Sequence, residues 1–574
     1  MRRALLCVLL MACGDDSVTL DGGADGATND ATQNDVAASD VSVDAPKGDA
    51  GDAGTSPPGA GKTTYACPEA GTLVKPADDL VAAVAASKVG DTICIQGVHR
   101  VQQALDPKSN QTWIGVTADA TISGAQILSP WTKQNGFWVY TGPLAKNGPS
   151  TQLHYAGATE CYDESALQDD VFWNDQRLFR VTNTKDLGQT GPLSNDGLVQ
   201  PSVEPGRFWF DYKDQAIWID VDPTNTVVDL AVAGTLVDQK GGPTNVTLEN
   251  LTIEKGLSVG IAANNATQYT LTDMTVRYIH NRGIYMPAGT DASHRTVVQH
   301  SLLTQNGQYA MDSTGSWILL KDDEISWNNI AGYRDMGSGN ACVGYFAAGA
   351  AKFVQSVGTP QAPGLWLDGV DSHDNVGDGF WTDVHNRYTL VENSSFHDNE
   401  RNGYFHEISC ESEIKNNTAY GNGRIIMNAK NDFSAQAWGI FVSTSSYANV
   451  HDNTVWKNTG GGIQLELAVG HSNMLGIPCI TPPPADGGDT SHALENNQVH
   501  DNAIYACAGT IAGADENGNS GAPSLLAPRN NTFTHNAYHA PDANHWWVDE
   551  TTMTYAAWQS VDDAGTLVQS CSYP

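Results

Sequence analysis

The chain has 574 residues, of which 65 are acidic and 30 are basic, giving a formal net charge of -35. This excess of negative charge repels nucleic acid and anionic lipid, so it argues against a polyanionic partner. Only 17% of the residues are charged, whereas Gly (57), Trp (15) and Tyr (19) are well represented. That composition favours a β-rich exported protein over a helical one.

The N-terminus, residues 1–13, predicts a signal peptide. Two arginines precede an apolar run that is too short to span a bilayer. The following "LMAC" resembles the lipobox of bacterial lipoproteins, and the resemblance implies that Cys13 carries the lipid. We therefore expect an exported protein at the outer membrane or cell surface, or in the periplasm, touching membrane only through this anchor. An ordinary secretory signal is the alternative.

Residues 14–62 form a segment that is unable to fold. They contain ten Asp, nine Gly and no aromatic residue. A segment of this kind buries too little apolar surface to fold, so we interpret it as a solvated tether.

Eight cysteines follow the signal sequence, an even number that predicts up to four disulfides in an exported protein. The pairs that we consider plausible are Cys67 with Cys94 and Cys479 with Cys507. The sequence leaves four cysteines without an assigned pairing: Cys161, Cys342, Cys410 and Cys571.

A repeat of about 23 residues runs through much of the chain. Segments such as "NVTLENLTIEKGLSVGIAA" at 245 and "ANVHDNTVWKNTGGGIQLE" at 448 place short apolar strands between corners rich in Asn and Gly. Each unit would bury its core only by stacking on its neighbours, as in a solenoid. The pattern resembles the right-handed parallel β-helix of pectate-lyase-like proteins, and we predict this all-β fold for residues 236–545.

Three other segments complete the predicted organisation. Residues 63–126 would form an N-terminal cap and the first coils, because "DDLVAAVAAS" reads as an amphipathic helix before a strand. The repeat is missing from residues 127–235, where alternating stretches such as "GRFWFDYKDQAIWIDV" predict an inserted antiparallel β-sandwich. Residues 546–574 would form a C-terminal tail or cap.

Aligning the repeats on a shared glycine separates inward from outward side chains. In "GFWTD" at 379 and "GYFHE" at 403, the second and fourth positions after the glycine face outward. We therefore predict an exposed aromatic ladder with Trp381 and Phe405. An exposed carboxylate ladder with Asp383 and Glu407 would run beside it.

Asp383 and Glu407 are 24 residues apart, so they would lie on neighbouring coils. Adjacent strands are about 4.7–4.9 Å apart, close to the separation of about 5–5.5 Å between the two carboxyl groups of a retaining glycosidase. Glu466 lies two coils beyond Glu407 and would give the wider, inverting spacing. A calcium site and a plain solvated surface are the alternatives for these acids.

"GFWTDVHN", followed one coil later by "GYFHEIS", together with an early inserted sandwich, resembles the β-helix glycoside hydrolases of families 120 and 141. By that resemblance, Asp383 would be the nucleophile and Glu407 the acid/base of a retaining enzyme acting on a polysaccharide or oligosaccharide. The resemblance leaves the sugar undefined.

Several further residues are candidates for sugar binding. His385 and Arg387 follow Asp383 at the corner of its coil, and Trp366 and Asp368 begin the preceding one. The other candidates are His406 and Glu466, although the alternation places His406 in an inward column, where a core role is the simpler interpretation.

We expect no cofactor, with a calcium loop in "DSHDNVGDG" at 371–379 as an alternative, and we expect a monomer. Two other functions remain open. A polysaccharide lyase or epimerase acting on a uronate glycan uses the same fold, but it needs a lysine or arginine base, and we expect no basic residue in the outward columns beside Asp383. A carbohydrate-binding or adhesive solenoid without catalysis is the third possibility.

Overall fold

In the computed structural model the described residues wind into a stack of similar coils. The described residues are 64–145, 169–181, 183–188, 206–331, 333, 335–336, 342–344, 349–424, 437–468, 494–506, 510–517, 526, 529–548, 551–562, 564–570 and 572–574. The predicted tether and signal peptide, with Cys13, lie outside them.

Each complete coil contributes one strand to each of three long parallel sheets, so strands that follow one another in the sequence belong to different sheets. This is the predicted right-handed parallel β-helix. Sheet 1 consists of Thr72–Val74, Thr92–Ile95, Thr112–Gly115, Thr244–Glu249, Thr267–Thr272, Thr296–Gln299, Ile318–Lys321, Leu365–Asp368, Thr389–Glu392, Glu413–Lys415, Asn449–His451, Gln498–His500 and Thr532–Thr534.

Sheets 2 and 3 follow sheet 1 in each coil. Sheet 2 consists of Val98–Arg100, Thr121–Ser123, Thr252–Glu254, Thr275–Arg277, Leu302–Thr304, Glu324–Ser326, Asp371–His373, Ser395–His397, Thr418–Tyr420, Thr454–Trp456, Ala503–Tyr505, Ala537–His539 and Thr566–Val568. Sheet 3 consists of Val237–Asp238, Val259–Ala262, Arg282–Tyr285, Tyr309–Ser313, Ala351–Val354, Phe380–Asp383, Tyr404–Glu407, Trp438–Ser443, Gly461–Ala468, Thr510–Asn517, Trp546–Val548 and Thr551–Met553. Its last strand, Thr551–Met553, is the exception to the parallel order, because it pairs antiparallel with Trp546–Val548. A two-stranded hairpin pairs Asp335–Met336 with Cys342–Gly344.

The corner between sheets 1 and 2 has a constant form. From Thr244 onward, two residues separate the sheet 1 strand from the sheet 2 strand in every coil. The first of the two has a positive φ, for example 55° at Asp452 and 56° at Asn393. Asn and Asp tolerate this left-handed conformation better than other residues with a side chain, which accounts for their frequency at the corners.

The second corner residue points inward and is often Asn, forming a ladder from coil to coil. The Nδ2 group of Asn453 donates to Oδ1 of Asn502 at 3.0 Å, and Asn502 donates in turn to Asn536. A second ladder follows sheet 2, running through Asn306, Asn328, Asn375, Asn399, Asn422 and Asn458. These amides satisfy the buried backbone groups at the corners, which explains the asparagines of the repeat.

The core lies between the three sheets and consists of their inward aliphatic and aromatic side chains. Phe380, Tyr404, Ile440 and Ile463 form one buried column, as the alternation predicts. The predicted helix is present at Leu80–Ala86, with Asp79 capping its first turn. A short helix, Tyr555–Trp558, buries Trp558 at the other end. No helix among the described residues is long and apolar enough to cross a membrane.

Two further sheets occupy the place of the predicted sandwich and share one apolar core. One contains Ala125–Ile127, Val171–Trp173, Gln176–Arg177 and Val228–Ala231; the other contains Thr132–Gln134, Phe137–Tyr140, Phe179–Arg180, Arg207–Asp211 and Ala216–Ile219. Most of their pairings are antiparallel.

Ion pairs join this inserted unit to the early coils. Lys255 Nζ lies 2.8 Å from Asp229 and 2.7 Å from Asp175. Asp170 bridges Arg177 and His280 at 2.6 and 2.9 Å. The described part of the insertion therefore contacts coils near residues 254–280.

The Cys67–Cys94 disulfide is confirmed, with Cα atoms 5.7 Å apart. Cys410, which the sequence left unassigned, is also disulfide-bonded. The predicted pair Cys479–Cys507 lies outside the described residues.

Candidate functional site

Asp383 and Glu407 occupy one outward column at the ends of adjacent strands of sheet 3. The strands pair in parallel with Phe380 opposite Tyr404 and Thr382 opposite His406, so the next positions are the two acids. The column continues through Ser443 to Glu466. Both predicted spacings, one coil and two coils, are therefore present in the register.

The aromatic column runs beside the acids, but neither column is exposed as predicted: Asp383 and Glu407 are each only 6% exposed. Trp381, Phe405 and Phe441 stack with centroids 5.1 and 4.9 Å apart. Trp381 is 3% exposed and Phe405 4%, and Trp438 packs in the same cluster. The alternation gave the correct direction of these side chains from the sheet, but it carries no information about what packs over them.

A lysine stands beside the acids, contrary to the expectation that the outward columns hold no basic residue. Lys352 lies on the strand before Asp383, opposite Trp381. Its Nζ atom is 2.8 Å from Asp383 Oδ2 and 3.5 Å from the centroid of the Trp381 ring. The coil strand Ala351–Val354 was not recognised from the sequence, so Lys352 was missed.

Four polar atoms on this face are buried without a hydrogen-bond partner among the described residues. They are Asp383 Oδ1, Trp381 Nε1, Gln464 Oε1 and Asp312 Oδ1. Buried polar groups nearly always find a partner in a folded protein, so each exception needs an explanation. Donors and acceptors that face outward beside paired acids are consistent with a site for a ligand rich in hydroxyl groups.

Asp312 is a further acid of this face that the sequence interpretation missed. It lies opposite Lys352 in the aromatic column, and its Oδ2 atom is 3.1 Å from Arg282 Nη1. Burial raises the pKa of Asp312, although Arg282 and Lys352 oppose the shift.

His406 lies in the core rather than on the outer face. Its Nδ1 atom is 2.8 Å from Thr382 Oγ1, which also contacts the Tyr404 hydroxyl at 2.8 Å. Burial lowers the pKa of His406 to about 3, so the ring is neutral. The prediction that His406 binds sugar is therefore wrong, because the strand directs this side chain into the core between the sheets.

Two other sugar-binding candidates lie on a different sheet from Asp383. Trp366 and Asp368 lie on sheet 1, where Trp366 donates to Glu392 and Asp368 pairs with Lys321. The chain changes direction between one sheet and the next, so residues that are close in sequence can lie on different faces of the coil. Trp366 and Asp368 therefore lie on another face than the acids of sheet 3.

The two corner candidates also have local roles. Arg387 forms a bidentate ion pair with Glu411, and the hydrogen bonds to this carboxylate raise the pKa of the Arg387 guanidinium above its usual range. His385 is buried in the turn with φ of 62° and donates its backbone N–H to Ile408. These contacts make both residues part of the corner that ends the Asp383 strand.

The alternative calcium loop is not assembled as one ligand set. Asp374 contacts His373 and Arg424, whereas Asp378 accepts from Arg401 and Asn402. The acids of this segment therefore point to different partners.

Comparison with known proteins supports the fold. Residues 259–466 match the family model of the right-handed beta helix region. No curated protein matches the sequence. XylC, solved in complex with xylose, is 12% identical and aligns over 86% of this chain and 83% of its own, with a TM-score of 0.53.

Two more distant structures are a glycoside hydrolase and an epimerase. The glycoside hydrolase is 10% identical, with 69% of this chain and 96% of its own covered and a TM-score of 0.38. The A-module of the mannuronan C-5 epimerase AlgE6 from Azotobacter vinelandii is 12% identical, with 86% and 93% covered and a TM-score of 0.40. Together, the family match and the XylC likeness establish that this chain folds as a right-handed parallel β-helix.

Proposed function

We propose that this protein is a carbohydrate-active enzyme, and specifically a retaining glycoside hydrolase. The observation that carries the proposal is the pair Asp383 and Glu407, which share an outward column on adjacent strands. Strands of one sheet lie about 4.7–4.9 Å apart, near the carboxyl separation of about 5–5.5 Å used for retention.

The surroundings of Asp383 suit a nucleophile. The Lys352 ammonium holds Oδ2 and stabilises the charged carboxylate, while Oδ1 is left without a partner among the described residues. In the proposed first step, a carboxylate oxygen of Asp383 attacks the anomeric carbon as the glycosidic C–O bond breaks. The product of this step is a covalent glycosyl-enzyme.

Glu407 would then serve as acid and base. Its carboxyl proton passes to the departing glycosidic oxygen, and the resulting carboxylate later removes a proton from the water that hydrolyses the glycosyl-enzyme. Trp381 and Phe405 form the apolar wall beside the acids, and aromatic faces or edges suit the C–H groups of a sugar.

The substrate class that we propose is a plant or microbial polysaccharide or oligosaccharide. The likeness to XylC makes xylosides a sensible first member of any substrate panel, although similarity at this level shows only the fold. We also propose export through the signal peptide, a lipid anchor at Cys13 and a monomeric state. Incorporation of labelled fatty acid by wild type, but not by Cys13→Ser, would test the anchor.

The decisive experiment uses aryl glycosides of several sugars with wild type, Asp383→Ala and Glu407→Gln. Glu413→Gln is a matched control because it removes an acid from sheet 1 instead of sheet 3. We expect Glu407→Gln to lower kcat/KM by about 10²–10⁴-fold and the control to match wild type.

Added azide separates the two roles. In Asp383→Ala, azide would replace the missing nucleophile and give a glycosyl azide of inverted configuration. In Glu407→Gln, azide would attack the glycosyl-enzyme and give a product of retained configuration. Unchanged hydrolysis in either variant would refute the mechanism.

A lyase or epimerase is the second candidate because Lys352 supplies the type of base that such enzymes need. The Lys352 nitrogen is already engaged in the ion pair with Asp383, which is why we prefer hydrolysis. Wild type that ignores all glycosides but generates unsaturated ends on uronate polymers would establish this alternative. Sugar binding without any turnover would instead indicate the non-catalytic solenoid.

A further inference from the structure

Two histidines and an aspartate meet on the outer face of sheet 2, away from the acids of sheet 3. Asp371 and His373 lie two residues apart on one strand, so their side chains share a face. His397 lies directly opposite His373 on the next strand. One ligand atom from each of the three residues lies within 4.8 Å of the others.

Both imidazole rings are held in the orientation found in metal sites. His373 Nδ1 is 2.9 Å from Asp374 Oδ2, and His397 Nδ1 is 2.9 Å from Asp398 Oδ2. A carboxylate that accepts a hydrogen bond from Nδ1–H leaves Nε2 as the ring nitrogen that faces a metal ion, as in carboxylate–histidine–zinc arrangements. Arg424 balances the charge of Asp374 at 2.6 Å.

The Nε2 edges face oxygen atoms. His397 Nε2 lies 3.2 Å from Asp371 Oδ1, and His373 Nε2 lies 3.5 Å from Glu324 Oε1. The rings stack on each other at 4.8 Å, and Tyr420 stacks on His397 at 4.6 Å. Because ring faces cover one another in this stack, the nitrogen edges are the accessible parts of the two imidazoles.

We propose that Asp371, His373 and His397 bind a divalent transition metal ion, with zinc as the best fit, and that Glu324 can supply a fourth ligand. Two imidazoles and carboxylates form a typical zinc ligand set, whereas calcium and magnesium prefer oxygen ligands alone. Ligands around a tetrahedral zinc ion with bonds of about 2.0–2.1 Å stand about 3.3 Å apart. The three ligand atoms, which lie within 4.8 Å of one another, would close to about this spacing when the ion binds.

The proposed ion would join two successive coils, because its histidines come from neighbouring strands of sheet 2. A second stacked pair, His451 and His500, provides a matched control on sheet 1. Its rings are 4.9 Å apart, and each Nδ1 atom is 2.7 Å from the aspartate that follows it. His500 Nε2, however, contacts the Asn449 amide oxygen instead of a carboxylate.

The test is titration calorimetry with zinc chloride on the tag-free full-length chain after removal of metal. We expect one zinc ion per wild-type chain and an unchanged affinity in His500→Ala. His373→Ala and His397→Ala should lose the binding. Asp398→Asn, which leaves the three ligands in place, should weaken it by about 10–100-fold.

Circular dichroism of each variant would confirm that it is folded. The Asp398→Asn variant keeps the test valid if a histidine variant fails to fold. Absence of zinc binding by wild type, equal binding by folded His397→Ala, or an equal loss in His500→Ala would each overturn the proposal.

Discussion

Replacing Lys352 by methionine would test the electrostatics of the candidate site through stability. The side chains of Lys352 and Asp383 are 16% and 9% exposed, so the ion pair is largely removed from water. Methionine keeps most of the apolar stem of lysine but leaves the carboxylate without its counter-charge. Breaking a buried pair by removing one partner typically costs about 3–5 kcal/mol.

The side chains of the pair keep some contact with water, so we expect a loss in the lower half of this range. Lys352→Met should therefore lose about 3–4 kcal/mol of unfolding free energy at pH 7.

Urea unfolding of wild type, Lys352→Met, Asp383→Asn and the double variant would give the coupling energy. The double variant should recover much of the stability lost in Lys352→Met, because no charge is then left unpaired. A loss below about 0.5 kcal/mol at pH 7 would refute the reasoning.

Three further predictions concern stability. Removing the Cys67–Cys94 disulfide with two serines should cost about 3.5 kcal/mol, because the crosslink closes a loop with a sequence separation of 27 residues, and an unchanged urea midpoint would contradict this. Asn399→Ala should cost more than about 2 kcal/mol, because it leaves the buried Asn375 N–H and Ser372 carbonyl groups of the preceding coil without their hydrogen-bond partner. Asn264→Ala, at an exposed turn position, is the control, and an equal loss of stability in both variants would contradict the prediction. Burial alone would raise the pKa of Asp170, but the nearby Arg177 guanidinium and the buried His280 outweigh this effect, so the pKa lies below its usual value. The stability that the Asp170 carboxylate contributes should therefore be lost as the pH falls below about 4. Asp170→Asn should flatten that part of the pH profile, and an unaltered profile would show that the carboxylate is not responsible.

The sequence predicted the fold and the acid column because both depend on the repeat. Gly379 and Gly403 mark the same position in successive coils, so counting from them places Asp383 beside Glu407. Lys352 could not be placed in the same way, because its coil has Ala350 at the position where the other two coils have the glycine. The two-stranded hairpin before it also interrupts the spacing.

Other features of the site depend on three-dimensional packing that a repeat does not encode. Alternation places Trp381 outside sheet 3, but only the folded chain shows that it is buried beneath Lys352 and its aromatic neighbours. Trp366 is 17 residues before Asp383, yet a corner of the coil carries it to a different sheet. His397 and Asp371 are far apart in sequence and meet only because their strands are neighbours.

The constant two-residue corner between sheets 1 and 2 limits where this protein can diversify. An inserted residue at this corner would break the asparagine ladder, and no coil from Thr244 onward has an insertion there. Long connections are found instead between Tyr420 and Trp438 and between Ala468 and Gln498, on the two edges that border sheet 3. Evolution, or a designer who wishes to alter specificity, can therefore exchange segments on both sides of the paired acids while the opposite edge keeps the coils in register.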